Sequence, residues 1–267
     1  MKLIRKFIYY LKSIFEMVLE IKNWPSLLPV FLRKADKGNN KIRLRNPQIE
    51  LLVRGKMDIW SIKETFIDAF YTRYSCQVKD GWQVMDIGAG IGDYSIYVAL
   101  ENPTAVVYAF EPYPNSFELL EKNLSINNIQ NVNSYPIAIW SQAGDIFLDL
   151  SSGEPLKITS SKEGQVSKFS EGVTVHSITL NDFISEKQIH RIDLLKLDCE
   201  GAEYEILLEA PKMTLKKIDR IIMEYHDVND DLKHDKLIRF LQNEGYQVKT
   251  NPNFVHDDIG YLYAVRH

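Results

Sequence analysis

The chain contains 267 residues, of which 45% are hydrophobic and 25% are charged, as in ordinary globular proteins. A chain of this length can bury one sizeable core, so we expect one domain with an N-terminal extension. It has two cysteines, Cys76 and Cys199, which argues against a disulfide-stapled secreted scaffold and favours a reducing, cytoplasmic location.

The charged residues are unevenly distributed along the chain. Residues 1–45 contain eleven Lys and Arg residues but three Asp and Glu residues, so this segment carries +8. Because the net charge of the whole chain is −4, the remainder carries −12. An acidic body argues against a broad phosphate-binding surface, and we expect no nucleic-acid partner.

Residues 1–40 are predicted to form an amphipathic helical arm followed by a polar connector, and residues 41–267 the main domain. Lys12 ends the longest apolar run of the arm, which argues against a transmembrane span. The apolar residues recur at helical spacing, and they are Ile4, Phe7, Ile8, Leu11, Ile14, Phe15, Val18 and Ile21.

Two interpretations of the arm remain open. A basic amphipathic helix can lie on an anionic membrane surface, which would make the protein membrane-peripheral. Alternatively, its apolar face is covered by its own domain or by a second subunit, as in a homodimer. Glu16 and Glu20 weaken the second half of the helix as a lipid contact, so we favour packing against protein.

The segment before the first central strand has less regular patterning. Residues 42–53 are predicted to be extended, and Ile62–Phe70 to be a short helix. Four polar residues near that helix, Arg54, Lys63, Glu64 and Tyr71, can contact a ligand, but we interpret them as a solvated face.

Strands then alternate with helices, which predicts a Rossmann-like, doubly wound α/β fold with a seven-stranded, mostly parallel sheet and an antiparallel final strand. The predicted strands are Val84–Ile87, Ala105–Phe110, Val132–Ile139, Asp193–Leu197, Arg220–Tyr225, Tyr246–Thr250 and Tyr261–Arg266. The predicted helices are Tyr94–Leu100, Ser116–Leu124, Ala202–Glu209 and Asp231–Glu244. Between them, Asp145–Leu150 and Val173–Thr179 are predicted to form a β-hairpin insertion with a mobile tip over Ser151–Gly172.

The turn after the first central strand contains three glycines at alternate positions, Gly88, Gly90 and Gly92, preceded by Asp86. Dinucleotide sites have Gly-x-Gly-x-x-Gly spacing and gain nothing from an acid in front of a phosphate. A cationic ligand, by contrast, is attracted by a carboxylate at this position. The acid-then-glycine order resembles motif I of the class I S-adenosylmethionine methyltransferases, whose cofactor carries a sulfonium and an ammonium. A Rossmann oxidoreductase that uses NAD is the alternative.

The second central strand ends at Glu111, 23 residues after Gly88. Doubly wound nucleotide-binding folds place an acid at about this distance, where its carboxylate accepts hydrogen bonds from the ribose hydroxyls. Pro112 follows and ends the strand. Together with Asp86 and the glycines, Glu111 predicts an adenosine-containing cofactor.

Two further strands deliver polar residues to the same edge of the sheet. Asp198 follows one strand, and Glu224 and His226 end the next. We expect His226 to be the general base and Asp198 the acid that positions it. The same residues, with Glu200, can equally bind a divalent cation. A histidine that only makes a structural hydrogen bond is a third reading.

Several sequence segments resemble motifs of the FkbM-type methyltransferase family. These segments are Asp193-Leu194-Leu195-Lys196-Leu197-Asp198-Cys199-Glu200-Gly201-Ala202-Glu203, Phe110-Glu111-Pro112-Tyr113-Pro114, Leu120-Glu121-Lys122-Asn123, Thr179-Leu180-Asn181-Asp182 and Glu224-Tyr225-His226. The resemblance implies S-adenosylmethionine-dependent O-methylation of a small molecule or glycan, and a class I methyltransferase fold. A non-catalytic, membrane-peripheral adaptor that keeps the fold as a scaffold is disfavoured, because a scaffold needs no adenosine site.

The resemblance carries over Asp86, Gly88, Gly90, Gly92 and Glu111 as cofactor residues. The full set of predicted cofactor-binding residues adds neighbours from the same turn and strand ends, namely Ala89, Tyr94, Ser95, Pro112, Ala138 and Asp198. The acceptor residues of the family are too variable to carry over, so the roles of His226 and Asp198 rest on their positions alone.

Overall fold

The computed structural model describes residues 2–31, 40–150, 157–160, 172–253 and 255–266. The polar connector and the predicted mobile tip over Ser151–Gly172 lie largely outside the described residues. Within the described part of the chain, no helix is both long enough and apolar enough to cross a membrane.

Strands and helices alternate through most of the described residues. The strands are β1 Asn40–Arg43, β2 Glu50–Val53, β3 Gln83–Ile87, β4 Val106–Phe110, β5 Val132–Tyr135, β6 Ala138–Trp140, β7 Gly144–Asp149, β8 Lys157–Ser160, β9 Gly172–Thr179, β10 Leu194–Leu197, β11 Arg220–His226, β12 Gln247–Pro252 and β13 Ile259–Val265. The α-helices are α1 Lys2–Glu20, α2 Leu28–Phe31, α3 Lys56–Ile62, α4 Phe70–Tyr74, α5 Asp93–Glu101, α6 Pro114–Ile126, α7 Leu180–Glu186, α8 Glu203–Leu208, α9 Lys212–Leu215 and α10 His234–Asn243. A 3₁₀ helix, Trp24–Leu27, precedes α2, and a π-helix, Lys63–Ile67, separates α3 from α4.

Seven of these strands form the central sheet in the order β12-β13-β11-β10-β3-β4-β5. Its strands are parallel except β13, which runs antiparallel to both of its neighbours. The predicted Rossmann-like, doubly wound seven-stranded sheet with an antiparallel final strand is therefore confirmed.

The central strands are apolar because helices cover both faces of the sheet. Successive side chains point to opposite faces, so neighbours in β3 belong to different apolar clusters. Val84 packs in a cluster with Tyr94 and Val98 of α5, whereas Met85 packs in a cluster with Phe183 of α7. Both β3 residues are fully buried.

The chain reverses its direction of winding between β3 and β10. From β3 it proceeds through β4 to β5 at one edge, and it then returns to place β10 on the other side of β3. In open α/β sheets, a ligand crevice forms at the carboxyl ends of the strands where this reversal occurs. The residues that follow β3, β4, β10 and β11 thus surround one crevice.

The predicted insertion is larger than a hairpin. Strands β7 and β9 do pair antiparallel, but β8 adds to the edge of β7 and β6 pairs parallel with β9, which gives a four-stranded sheet. The prediction of a single strand over Val132–Ile139 was wrong, because β5 and β6 belong to different sheets. Pro136 lies between them, and proline has no N–H with which to continue the ladder.

The N-terminal strands β1 and β2 form an antiparallel hairpin that packs against α6. The outer edge of β2 is paired with side-chain amides. Asn123 Oδ1 accepts from the Leu52 N–H at 2.7 Å, and Asn127 Oδ1 accepts from the Glu50 N–H at 3.1 Å. Their Nδ2 groups donate to the Leu52 and Glu50 carbonyls at 3.2 and 2.7 Å.

Candidate active site

The three glycines of the turn after β3 all have left-handed backbone conformations, with φ of 75°, 56° and 85°, but their surroundings differ. A Cβ on Gly88 would lie 1.8 Å from the Asp198 carbonyl oxygen, and one on Gly92 would lie 3.0 Å from Leu120 Cγ. A Cβ on Gly90 would meet no heavy atom within 4 Å. Gly88 therefore permits β3 to approach β10, Gly92 permits α5 to approach α6, and Gly90 lies next to open space.

We expect Gly88→Ala to reduce the free energy of unfolding by about 2–4 kcal/mol, because the clash with the Asp198 carbonyl adds to left-handed strain. Gly90→Ala is the matched control, and it should cost only the backbone strain, about 1 kcal/mol. Urea unfolding of both variants measures the difference. Equal losses would mean that the contact between β3 and β10 is more compliant than its geometry indicates.

Asp86 is fully buried in β3 and is neutralised by a lysine of the neighbouring strand. Lys196 lies opposite Asp86 in the register of β10 and β3. Its Nζ is 2.9 Å from Asp86 Oδ1, donates to the Gly88 carbonyl at 2.9 Å and lies 3.8 Å from Asp198 Oδ2. Ser95 donates to the other Asp86 oxygen at 2.7 Å.

The environment of Lys196 keeps it positively charged. Burial alone lowers the pKa of a lysine, but the attraction of Asp86 and Asp198 outweighs it and raises the pKa above the ordinary value. Its Nζ also lies 5.3 Å from the centre of the Tyr71 ring. Lys196 was not among the predicted site residues, although a lysine between leucines in a buried strand was visible in the sequence.

Glu111 spans the glycine turn and the start of α6. One of its carboxylate oxygens accepts from the Gly90 N–H at 2.8 Å and the other from the Tyr113 N–H at 2.9 Å. Burial raises the pKa of Glu111 to about 7, against the opposing effect of these two N–H groups and of Arg54. Arg54 is itself held by Asp58 at 2.8 Å.

A cavity of about 570 Å³ opens between these elements, a size typical of small-molecule sites. The predicted cofactor residues that line it are Gly88, Ala89, Gly90, Tyr94, Glu111, Pro112, Ala138 and Asp198. Three others, Asp86, Gly92 and Ser95, lie behind this surface. Asp86 holds Lys196, which lines the cavity, and Ser95 donates to Asp86. Gly92 permits the close packing of α5 against α6.

Three groups converge at a second wall of the cavity, beside the glycine turn. Ligand atoms of Asp198, Glu224 and His226 all lie within 4.8 Å of one another. Tyr71, which is buried in α4, donates its hydroxyl to Asp198 at 2.7 Å. The residues predicted from the ends of β10 and β11 are thus brought together, and a tyrosine from before β3 joins them.

His226 is enclosed by acids. Its Nδ1 lies 3.2 Å from Glu203 Oε1, and its Nε2 lies 3.4 Å from Glu200 Oε2. Burial lowers the pKa of a histidine, but the hydrogen bond and charge of Glu203, followed by the charges of Glu200 and Asp198, raise the pKa of His226 to about 10. The acids around His226 therefore favour its protonated form, in which both ring nitrogens donate hydrogen bonds.

The interpretation of the upstream polar residues as a solvated face was wrong. Glu64 and Tyr71 line the cavity, as does Arg54, whereas Lys63 is buried and paired with Asp68. Glu64 lies in the π-helix and accepts from Trp60 Nε1 at 2.9 Å. Burial, followed by the charge of Asp198, raises the pKa of Glu64 to about 8. Burial, followed by the charges of Asp198 and Glu64, likewise raises the pKa of Glu224 well above its ordinary value.

A family model described as the methyltransferase FkbM domain matches residues 86–248, which extend from Asp86 through the cluster of Asp198, Glu224 and His226. The match thus includes both walls of the cavity but not the N-terminal arm.

Similar proteins carry the same family name or related ones. The 31-O-demethyl-FK506 methyltransferase FkbM of Streptomyces tacrolimicus is 26% identical over 231 residues, which cover 76% of this chain and 88% of that protein. The hexuronic acid methyltransferase AglP of Haloferax volcanii is 27% identical over 188 residues, covering 70% of this chain and 74% of that protein. The crystal structure of methyltransferase FkbM from Methylobacillus flagellatus is 16% identical, with a TM-score of 0.49 over 70% of this chain and 44% of that one. With its family model matched over more than half its length, the chain belongs to the FkbM methyltransferase family.

Proposed function

We propose that the protein transfers a methyl group from S-adenosylmethionine to a hydroxyl of a small molecule or glycan. The observation that carries the proposal is one cavity with two different walls. The glycine turn and Glu111 form one wall, and the cluster of Asp198, Glu224 and His226 forms the other. Relatives named as a hexuronic acid methyltransferase and a 2-O-methyltransferase support an oxygen as the acceptor atom.

The residues of the first wall fit S-adenosylmethionine. Gly90 leaves open space beside the turn, and Glu111 has free lone pairs with which to accept hydrogen bonds from ribose hydroxyls. Asp86 would act through Lys196, whose Nζ it holds against the turn.

When bound, S-adenosylmethionine supplies an electrophilic methyl group on its sulfonium. The chain has to hold the acceptor hydroxyl and take its proton. We propose Asp198 as the proton acceptor, because its carboxylate lines the cavity, accepts from the Tyr71 hydroxyl at 2.7 Å and lies 3.8 Å from Lys196 Nζ. His226 then serves as the cation of the cluster. This assignment reverses the roles that the sequence suggested for these two residues.

A divalent cation is the alternative occupant of the second wall. Its ligands would be Asp198, Glu224 and His226, whose donor types suit a hard or borderline metal. Dialysis of the enzyme against EDTA, followed by assay with and without Mg²⁺ or Mn²⁺, separates the two proposals. Activity that survives chelation supports the proton-accepting cluster, and activity that returns only with metal supports the cation.

We expect Glu111→Ala to weaken S-adenosylhomocysteine binding by about 10–100-fold, as for a lost hydrogen bond to a charged group. Glu111→Gln, which keeps one acceptor oxygen and the shape of the side chain, should lose less. Isothermal titration calorimetry gives both affinities, with Glu118→Ala on the exposed side of α6 as the control.

The same titrations with NAD test the main alternative. Binding of NAD in preference to S-adenosylhomocysteine would favour an oxidoreductase over a methyltransferase. A non-catalytic adaptor would transfer no labelled methyl group from S-adenosylmethionine to any acceptor in an extract, even where the cofactor binds.

A further inference from the structure

Helix α1 packs on the domain through the side that carries Tyr9, Ser13 and Met17. Ser13 and Met17 are buried, and Tyr9 lies one turn before Ser13 on the same side. The Tyr9 ring is 6.0 Å from the Trp60 ring, and Lys63 Nζ lies 5.1 Å from the centre of the Tyr9 ring. The inward side of α1 is therefore fixed by a small set of aromatic, polar and cation–π contacts.

The apolar side of α1 points away from the domain. Phe7 and Phe15 are each 63% exposed, and Leu11 between them is 52% exposed. Ile8, Ile14 and Leu19 of the same helix are also exposed, whereas the Tyr10 ring lies 5.7 Å from the Trp60 ring. A surface helix of a globular protein normally turns its apolar stripe inward. The outward face, which consists of Phe7, Ile8, Leu11, Ile14, Phe15 and Leu19, is therefore the reverse of the usual arrangement.

Charge distinguishes between the surfaces that can cover the outward face. The first fifteen residues contain four basic residues, at positions 2, 5, 6 and 12, and no acid, and residues 1–45 carry +8. The side chain of Lys12, beside the outward face, is 70% exposed and its Nζ lies 3.4 Å from Glu16 Oε1. A second copy would bring one positive segment against another, whereas anionic lipid headgroups attract both the arm and its flanks.

The sequence favoured packing against protein, but because the apolar face is exposed on the domain, we propose instead that α1 lies in the plane of an anionic membrane surface, with its outward face in the boundary between headgroups and acyl chains. The inward side of α1 remains packed on the domain through the contact of Tyr9 with Trp60. Because Trp60 also lines the cavity, membrane docking sets the cavity beside the lipid surface.

Co-sedimentation of the full chain with vesicles tests the proposal. We expect binding to phosphatidylcholine vesicles that contain phosphatidylglycerol, weaker binding to phosphatidylcholine alone, and release at high salt. Leu11→Asp and Phe15→Asp should each lower the partition coefficient by about tenfold or more, as expected for withdrawing one large apolar side chain.

Met213→Asp is the matched control, because Met213 is 69% exposed on α9 and lies outside the arm. This variant should bind vesicles like the unmodified chain, and thermal unfolding should show that all three variants are folded. If a second copy of the chain covers the outward face instead, the protein is a dimer, which sedimentation equilibrium detects. A dimer that Phe15→Asp dissociates, without vesicle binding, would overturn the proposal, and so would a monomer that binds no vesicles.

Discussion

Asp198→Asn is expected to lower the rate of methyl transfer by roughly 10²–10⁴-fold, the usual contribution of a positioned general base. His226→Gln should retain a much larger share of the activity. The reason is the arrangement at the second wall, where Tyr71 holds Asp198 at 2.7 Å while the surrounding acids keep His226 protonated. Once an acceptor substrate has been identified, the single-turnover rates of methyl transfer from labelled S-adenosylmethionine are measured for the two variants and compared.

The affinity for S-adenosylhomocysteine is measured for each variant as well, and the rates are compared at saturating cofactor, so that a loss of cofactor binding is separated from a loss of the transfer step. If His226→Gln proves as inactive as Asp198→Asn, with a rate that rises with pH near neutrality in the unmodified enzyme, the base is His226 and the role that the sequence suggested is correct.

The charge of His226 can be checked by stability alone. Its pKa is about 10 in the folded chain and about 6.5 when unfolded, so folding favours the protonated form. This contribution is complete below about pH 6.5 and is lost as the pH rises through about 10. The urea midpoints of His226→Gln and the unmodified chain should therefore converge across this range as the solution becomes more alkaline.

Lys196→Met is expected to reduce the free energy of unfolding by about 3–5 kcal/mol, because it leaves Asp86 buried without a counter-charge. Asp86 has no exposed surface and Lys196 is 3% exposed, so water cannot replace the lost partner. The double variant Lys196→Met with Asp86→Asn removes both charges and should regain more than half of the loss. Urea unfolding at neutral pH measures all three variants.

Lys122→Met is the matched control, since Lys122 pairs with Glu118 on the exposed side of α6. An exposed pair of this kind contributes at most about 1 kcal/mol. A small loss for Lys196→Met, similar to that of the control, would show that Asp86 needs no counter-charge in the folded chain.

The central sheet and one half of the site could be predicted because both follow from local pattern. Apolar runs define the strands, and the carboxyl ends of parallel strands share one edge. Glu111, Asp198 and His226 therefore had to lie at the same edge of the sheet, whatever the details of the helices. The glycine turn was equally local, since left-handed backbone at Gly88, Gly90 and Gly92 needs no long-range information.

The remainder of the site depends on contacts between distant parts of the chain. Tyr71 reaches Asp198 across 127 residues of sequence, and no periodicity in the segment before β3 indicates that contact. Glu64 lies in a π-helix, a distortion that helical spacing does not reveal. The charge of His226 could not be predicted either. It depends on how close Glu200 and Glu203, in the turn and helix that follow β10, come to the His226 ring at the end of β11.

The pairing between β2 and α6 protects the hairpin from adding strands. An open strand edge presents unpaired N–H and C=O groups that can template association with another chain. Asn123 and Asn127 are one helical turn apart, and their carboxamides hydrogen-bond the backbones of Leu52 and Glu50, which are two residues apart in β2. The two side chains thus pair with the edge of β2 as a neighbouring strand would. The hairpin consequently needs no third strand beside β2, and this edge, which faces α6, is closed to cross-chain β-sheet growth.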